Sequence, residues 1–338
     1  MEAKTMPGLD SEPYCASPYL QSIGTAKFTE KMFHRHGDRY RAYREQWAQA
    51  EAGKVLPFPV NVGFDLIDAC NLQCPQCLRD PELIDKYRGF LGKGSRLELA
   101  DVARIMDECQ ERGLPSVNII GSGEPMLHPD FAAICGEIAR RDVLEFRVVS
   151  NGTLLSSKVA QALIEHQVHF LSISIDATTP ETYQKVRGRS DLFERVVHNA
   201  LRFLEMRRTA GKEFPMLRVT FVQQRANFTE VEPFVDFWRD KADLIDIQPH
   251  IDYRSQNYRR DFTCSDPWLR LSVYADGHVA PCCSLPGIIF NLGDARKTSL
   301  AEIWHGQPLA KLRQALSEKR YSEVCLKCQG SLDILSAT

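Results

Sequence analysis

The stretch Val60-Asn61-Val62-Gly63-Phe64-Asp65-Leu66-Ile67, followed closely by Cys70-Asn71-Leu72-Gln73-Cys74-Pro75-Gln76-Cys77, decides how this chain is read. Its first half is a short apolar run of strand character, and its second half places three thiols on one loop. Thiols clustered this tightly are ligands of one metal centre more often than separate packing groups. A zinc knuckle uses four nitrogen or sulfur ligands, and no histidine lies between Asp65 and Gly113 to complete one locally. Three thiolates on a four-iron cube leave one iron unligated, and an open metal position is a reaction site. The spacing C-x3-C-x2-C also differs from the C-x2-C-x2-C run of bacterial ferredoxins.

Outside that loop the composition is that of an ordinary globular protein. The 338 residues carry 42 Lys+Arg against 44 Asp+Glu, a net charge of -2 that gives no basic field for nucleic acid. The segment after Met1 contains no signal-like apolar stretch, and no apolar run approaches the roughly 18 residues that span a bilayer. A cytoplasmic protein without membrane or nucleic-acid partners is expected. Eleven cysteines in that compartment argue for metal sites over disulfides. Seven fall into two sets with ligand-like spacing, and Cys15, Cys109, Cys135 and Cys283 read as packing thiols.

Residues 1–27, rich in Pro, Ser and Gly, read as an extended lead-in, and 28–52 as one amphipathic helix. Its aromatics Phe33, Tyr40, Tyr43 and Trp47 belong on the body and its arginines in solvent or ion pairs. Strands are predicted at 60–67, 117–121, 145–150, 169–175, 217–223 and 244–248. Helices are predicted at 97–112, 129–141, 156–166, 180–186, 191–210 and 229–240. This alternation predicts an α/β fold with a parallel sheet, and six units, short of the eight of a closed barrel, predict an open, curved one. The expected division is an N-terminal extension over 1–57, the α/β unit over 58–250 and a smaller C-terminal domain over 251–338.

Parallel sheets bind ligands at the carboxyl ends of their strands, and the unusual residues gather there. The cysteine loop follows the first strand, Gly121-Ser122-Gly123-Glu124-Pro125 the second and Ser150-Asn151-Gly152 the third, while Ser174 and Asp176 close the fourth. Alone, the glycine segment is a plain turn and Ser150-Asn151 a helix-cap region. A second cysteine set comprises Cys264, Cys282, Cys325 and Cys328. A hairpin turning at Asp276-Gly277 brings Cys264 and Cys282 together, and a helix over about 299–318 returns Cys325 and Cys328 to them. Four thiolates suit zinc and an iron-sulfur cluster equally.

The C-x3-C-x2-C loop resembles the cluster motif of the radical S-adenosylmethionine (SAM) superfamily. That resemblance implies a partial (β/α)6 TIM-like barrel, a [4Fe-4S] cluster on Cys70, Cys74 and Cys77, and SAM on its open iron, cleaved by one electron to methionine and a 5'-deoxyadenosyl radical. Gly121-Ser122-Gly123-Glu124 is similar to the GGE motif for the SAM amino group, with Ser122 where many members carry Gly. The resemblance assigns Ser150 and Asn151 to the ribose, Ser174 to SAM, Arg187 to its carboxylate and backbone near Val222 to the adenine. The C-terminal part resembles the SPASM/twitch extension, here a β-hairpin/helix iron-sulfur domain, with Cys264, Cys282, Cys325 and Cys328 holding an auxiliary [4Fe-4S] cluster.

By that resemblance, notably to twitch dehydrogenases of the 2-deoxy-scyllo-inosamine type in aminoglycoside biosynthesis, the implied activity is oxidation of an alcohol on a small-molecule substrate. A flavodoxin- or ferredoxin-like electron donor is implied as well. The proton acceptor is sought among His250, Asp252 and Arg254. Radical dehydration, epimerisation with Cys283 or Cys264 as hydrogen donor, and peptide maturation are the alternatives.

Overall fold

The computed structural model describes residues 21–80, 94–251, 262–282 and 285–330. The described chain opens with β1 (Gln21–Ile23), α1 (Thr25–His36) and α2 (Asp38–Glu51). Parallel strands β2 (Asn61–Phe64), β3 (Ser116–Ile119), β4 (Glu145–Ser150), β5 (Phe170–Ser174), β6 (Met216–Gln223) and β7 (Leu244–Pro249) follow. Helices α3 (Leu99–Glu111), α4 (Phe131–Ala139), α5 (Ser157–Glu165), α6 (Pro180–Arg187), α7 (Phe193–Thr209) and α8 (Val231–Trp238) intervene. The expected α/β architecture, a parallel sheet of the partial TIM-like barrel type, is what forms.

The C-terminal part adds α9 (Asp266–Leu269), β8 (Arg270–Val273), β9 (Val279–Ala280), α10 (Leu300–Trp304), α11 (Gln307–Ser317) and α12 (Glu323–Cys325). Its hairpin is part of the main sheet. β8 pairs in parallel with β2, matching Gly63 to Ser272 and Phe64 to Val273, so the sheet runs β1-β7-β6-β5-β4-β3-β2-β8-β9 among the described residues.

Two apolar layers hold the strands. On the outer face Val117, Ile119, Val148 and Ile173 pack beneath helix residues such as Ile105, Ile134, Leu163 and Phe203, all essentially inaccessible. Burying each such side chain is worth about 1.5–3 kcal/mol. At the amino ends of the strands, Phe28, Tyr40, Tyr43 and Trp47 pack on Phe170, Met216 and Leu244, each the first residue of its strand. Tyr40, Tyr43 and Trp47, at i, i+3 and i+7, share one helix face. The Tyr40 and Tyr43 hydroxyls donate to Glu145 at 2.6 and 3.3 Å. This plug closes the amino end, so ligands enter at the carboxyl end.

Three local expectations are corrected. The helix over 28–52 is two helices, because Gly37 adopts φ 54°, ψ -130°, outside helical geometry. The end of the lead-in is β1, antiparallel to β7. The helix over 299–318 is interrupted at Gly306, whose extended backbone starts α11 afresh ahead of Pro308. Arg44 of α2 is buried against the Tyr43 and Trp47 rings, with the charges of Glu145 and Glu51 acting on it. Cys109 and Cys135 are fully buried in the apolar layer, as packing thiols are. No helix among the described residues is long and apolar enough to cross a membrane.

Candidate active site

The loops at the carboxyl ends converge on one cavity of about 390 Å³. Cys70, Cys74 and Cys77 line it together with Gly121, Ser122, Gly123 and Glu124. Ser150, Asn151, Ser174, Arg187, Val222 and His250 line it as well. The fold therefore brings together residues that lie on seven separate segments of the sequence. Asp252, Arg254 and Cys283 lie outside the described residues.

The two glycines serve the approach of chain to chain. A Cβ on Gly123 would stand 1.9 Å from the Ile67 carbonyl oxygen, and one on Gly121 would stand 2.1 Å from the Asp65 carboxyl. The Glu124 amide donates to the Ala69 carbonyl at 2.8 Å, pinning this turn to the start of the cysteine loop. Glu124 is buried, and its Oε1 accepts from Ser150 Oγ at 2.7 Å and the Met126 amide at 3.2 Å. Its Oε2 accepts from the Asn151 amide at 2.7 Å. Burial raises its pKa against these donors. Ser150 Oγ also accepts from the Gly152 amide at 2.9 Å, so this hydroxyl is engaged within the loop.

Asn151 braces the cysteine loop. Its Nδ2 donates to Asn71 Oδ1 at 2.9 Å and lies 4.0 Å from Cys70 Sγ, and Asn71 Nδ2 donates to Thr153 Oγ1 at 2.7 Å. The Arg79 amide approaches Cys77 Sγ at 3.5 Å. Helix α6 supports the other side of the loop. Thr179 Oγ1 caps its first turn, Pro180 opens it, and Gly188 ends it at φ 78°, where a Cβ would stand 2.9 Å from the Gln73 carbonyl oxygen. Arg187, the last residue of α6, places Nη1 at 3.8 Å from Cys74 Sγ and Nη2 at 2.6 Å from Asp176 Oδ2.

The donor set fits an iron-sulfur cluster. Burial raises the Cys70 thiol and pushes Cys77 up to about 11, so the thiolates need a bound cation, which iron supplies by displacing the protons. Gln76 Oε1, Tyr183 Oη and Arg187 Nε are buried around the loop without a hydrogen-bond partner among the described residues. Each costs about 1–3 kcal/mol unless a bound group satisfies it. Among the described residues no three His, Cys, Asp or Glu side chains converge on a single metal ion. A cube, whose ligand sulfurs sit on separate irons, does not require that convergence.

Sequence reasoning placed Asp176 at the fourth strand end without giving it a role, and missed Asp65, Arg147, Gln248, Ser272 and Tyr274. Asp65, the residue after β2, lines the cavity, and its Oδ2 accepts from the Ser122 amide at 2.9 Å and hydroxyl at 2.6 Å. Its place among the alternating residues of the β2 run was the available signal. Asp176, in left-handed backbone at φ 63°, accepts from the Val222 amide at 2.8 Å, while the Val222 carbonyl accepts from Asn227 Nδ2 at 2.9 Å. Both backbone groups expected near an adenine thus have protein partners. Arg147, Gln248, Ser272 and Tyr274 complete the wall. Ser272 and Tyr274 arrive only because the hairpin joins β2.

In the second cysteine set, Cys264 lies within electrostatic range of Cys325 and Cys328, and burial, their charges and that of Asp266 raise its thiol. The segment from Glu323 to Gly330 packs against Leu285–Ile289, which follows Cys282. Ser322 Oγ donates to Cys325 Sγ at 3.3 Å.

A three-cysteine loop at the carboxyl mouth of a parallel partial barrel, with a second cysteine set behind it, defines an iron-sulfur enzyme of the SAM-cleaving class. The radical SAM superfamily model matches residues 65–216, and the iron-sulfur cluster-binding SPASM domain matches 264–329. The chain thus carries a radical SAM domain followed by a SPASM domain, and these two domains imply SAM and [4Fe-4S] clusters as its cofactors.

A GTP 3',8-cyclase of Shewanella denitrificans is 26% identical over 270 residues, covering 64% of this chain and 75% of that one. Other curated relatives are spanned for only about half of their length. Streptococcus suis SuiB superposes with a TM-score of 0.58 at 15% identity, covering 86% of this chain and 79% of SuiB. BtrN in complex with AdoMet and 2-DOIA superposes with a TM-score of 0.52 at 15% identity, covering 83% and 95%.

Proposed function

We propose that the protein oxidises an alcohol of a small polyol, a sugar or aminocyclitol, to a ketone. When bound, the SAM cluster and SAM supply a 5'-deoxyadenosyl radical that takes hydrogen from an unactivated C–H bond. Cys70, Cys74 and Cys77 hold the cluster, and the turn from Gly121 to Glu124, with Ser150, Asn151, Ser174, Arg187 and Val222, forms the SAM pocket. Cys264, Cys282, Cys325 and Cys328 hold the auxiliary cluster, which serves as electron acceptor.

One observation carries the substrate class: the hydrogen-bonding side chains Arg147, Thr220, Gln248, His250, Ser272 and Tyr274 line the cavity beside the apolar Ile120, Val149, Pro249 and Ile251. Such a wall suits several hydroxyls, and the α1–α2 plug keeps water from the amino end. In this reading His250, which lines the cavity and whose amide donates to the Gln223 carbonyl at 3.1 Å, accepts the hydroxyl proton. The likeness to BtrN bound to 2-DOIA supports this reading. The same reading includes a cytoplasmic location, a flavodoxin- or ferredoxin-like donor and the division of the chain at about residues 57 and 250.

Peptide modification is the second reading, supported by the likeness to SuiB bound to its precursor peptide SuiA, at a TM-score of 0.56. The test is incubation of the reconstituted protein with SAM, a strong reductant and candidate polyols or peptides. Oxidation predicts a product lighter by two hydrogens, one 5'-deoxyadenosine per product, and deuterium passing from labelled substrate into it. Loss of water marks dehydration and unchanged mass marks epimerisation. Modification of peptides alone overturns the polyol reading.

A further inference from the structure

Helix α6 presents Tyr183 and Arg187, one turn apart, to the cysteine loop. Arg187 Nη1 is 3.8 Å from Cys74 Sγ, and the Arg187 carbonyl oxygen is 3.9 Å from the same sulfur. Tyr183 is fully buried, its hydroxyl has no hydrogen-bond partner among the described residues, and it lies within electrostatic range of both Cys74 and Arg187. Asp176 is inaccessible and bonds Arg187 at 2.6 Å. A Cβ on Gly188 would stand 2.9 Å from the Gln73 carbonyl oxygen, so the end of α6 lies close against the cysteine loop.

We propose that Arg187 and Tyr183 set the reduction potential of the cluster held by Cys70, Cys74 and Cys77, Arg187 by placing a positive charge beside the Cys74 sulfur and Tyr183 by offering its unpartnered buried hydroxyl to the bound cluster, and that Asp176 limits the effect of the cation. This rests on the reading that those three cysteines hold the cluster. A guanidinium stays charged at any working pH. One-electron reduction adds negative charge beside it, so the cation favours the reduced cluster and raises its potential, and a hydrogen bond to a cluster sulfur acts in the same direction. The Asp176 carboxylate opposes the cation. Arg187 is a positioning residue here, acting through Cys74.

The assignment differs from that implied by the superfamily resemblance, in which Arg187 meets the SAM carboxylate. Measurement without SAM separates the two. The reconstituted full-length protein is titrated potentiometrically, following the electron paramagnetic resonance signal that changes when SAM is later added. Arg187→Gln should make the midpoint more negative, Tyr183→Phe should do so by less, and Asp176→Asn should make it less negative.

Unchanged midpoints in Arg187→Gln and Tyr183→Phe, with iron content intact, would overturn the proposal. A loss confined to SAM affinity would then return Arg187 to the carboxylate. If Arg187→Gln loses iron, Arg187→Lys, Tyr183→Phe and Asp176→Asn decide. Arg187→Lys, which retains the charge, should keep the midpoint near wild type, and absence of opposite shifts between Tyr183→Phe and Asp176→Asn refutes the idea. Failure of the underlying reading looks different: Cys74→Ala would keep the SAM-sensitive signal and full iron. Failure of alcohol oxidation would leave the midpoints unaffected.

Discussion

Glu124 Oε1 accepts the Ser150 hydroxyl at 2.7 Å, so the carboxylate spans the ends of β3 and β4. Its other oxygen takes the Asn151 amide at 2.7 Å, and together these bonds shape the wall facing the cysteines. Ser150→Ala should cost about 1 kcal/mol, the net worth of one hydrogen bond. Glu124→Gln turns an amide donor toward a donor and should cost about 1–3 kcal/mol as well as weaken SAM binding. Urea unfolding and equilibrium dialysis measure the two effects.

Gly123→Ala should be among the most damaging substitutions in the chain. Its Cβ meets two backbone oxygens, those of Ile67 at 1.9 Å and Ala69 at 2.7 Å, and neither moves without moving the cysteine loop. A cost above about 3 kcal/mol and loss of iron are expected. Iron retention with near-normal melting would refute the close-approach role.

Asp65 makes stability depend on pH. Burial, opposed by the Ser122 hydroxyl and amide, pushes its pKa up to about 6 from an unfolded value near ~3.9. A raised carboxyl binds its proton more readily when folded, so its stabilising contribution is full below about pH 4 and is lost as pH rises through about 6. Relative to Asp65→Asn, which does not titrate, the wild type should lose about 3 kcal/mol between pH 4 and 7. Urea unfolding of both proteins across that range tests this, and parallel profiles would show that the carboxyl is not desolvated.

Trp304 ties the C-terminal helices to the segment before β2. It is fully buried, its Nε1 donates to the Leu56 carbonyl at 2.8 Å, and the Arg313 guanidinium lies 4.1 Å from its ring centroid. Trp304→Ala should cost about 3–5 kcal/mol. Trp304→Phe, which keeps most of the apolar contact, should cost less, and calorimetry should show a graded fall in melting temperature.

Iron content separates the two cysteine sets. Reconstituted wild type should hold about eight irons, two four-iron clusters. Cys74→Ala and Cys325→Ala should each lower this to about four, with SAM binding lost only in the first. Iron analysis and absorbance near about 400 nm report the counts.

The alternation of strands and helices was legible because it is written in neighbouring residues, and the cysteine spacing was legible for the same reason. The glycine-glutamate turn and the strand-end serines were legible as positions. Their bonding was not, since the partner of Glu124 depends on which strand lies beside β3. The break at Gly37 was hidden because a glycine within a helical pattern does not announce its dihedral angles.

By itself the sequence determined a parallel α/β chain with a three-thiol loop, because helical period, strand period and ligand spacing are local properties. Only the tertiary structure decided that β8 extends the sheet beside β2, bringing Ser272 and Tyr274 into the cavity. It alone set Arg187 between Asp176 and Cys74. Contacts of this kind join residues far apart in the chain, and strand order and the rotation of each loop fix them, which no short stretch of sequence encodes.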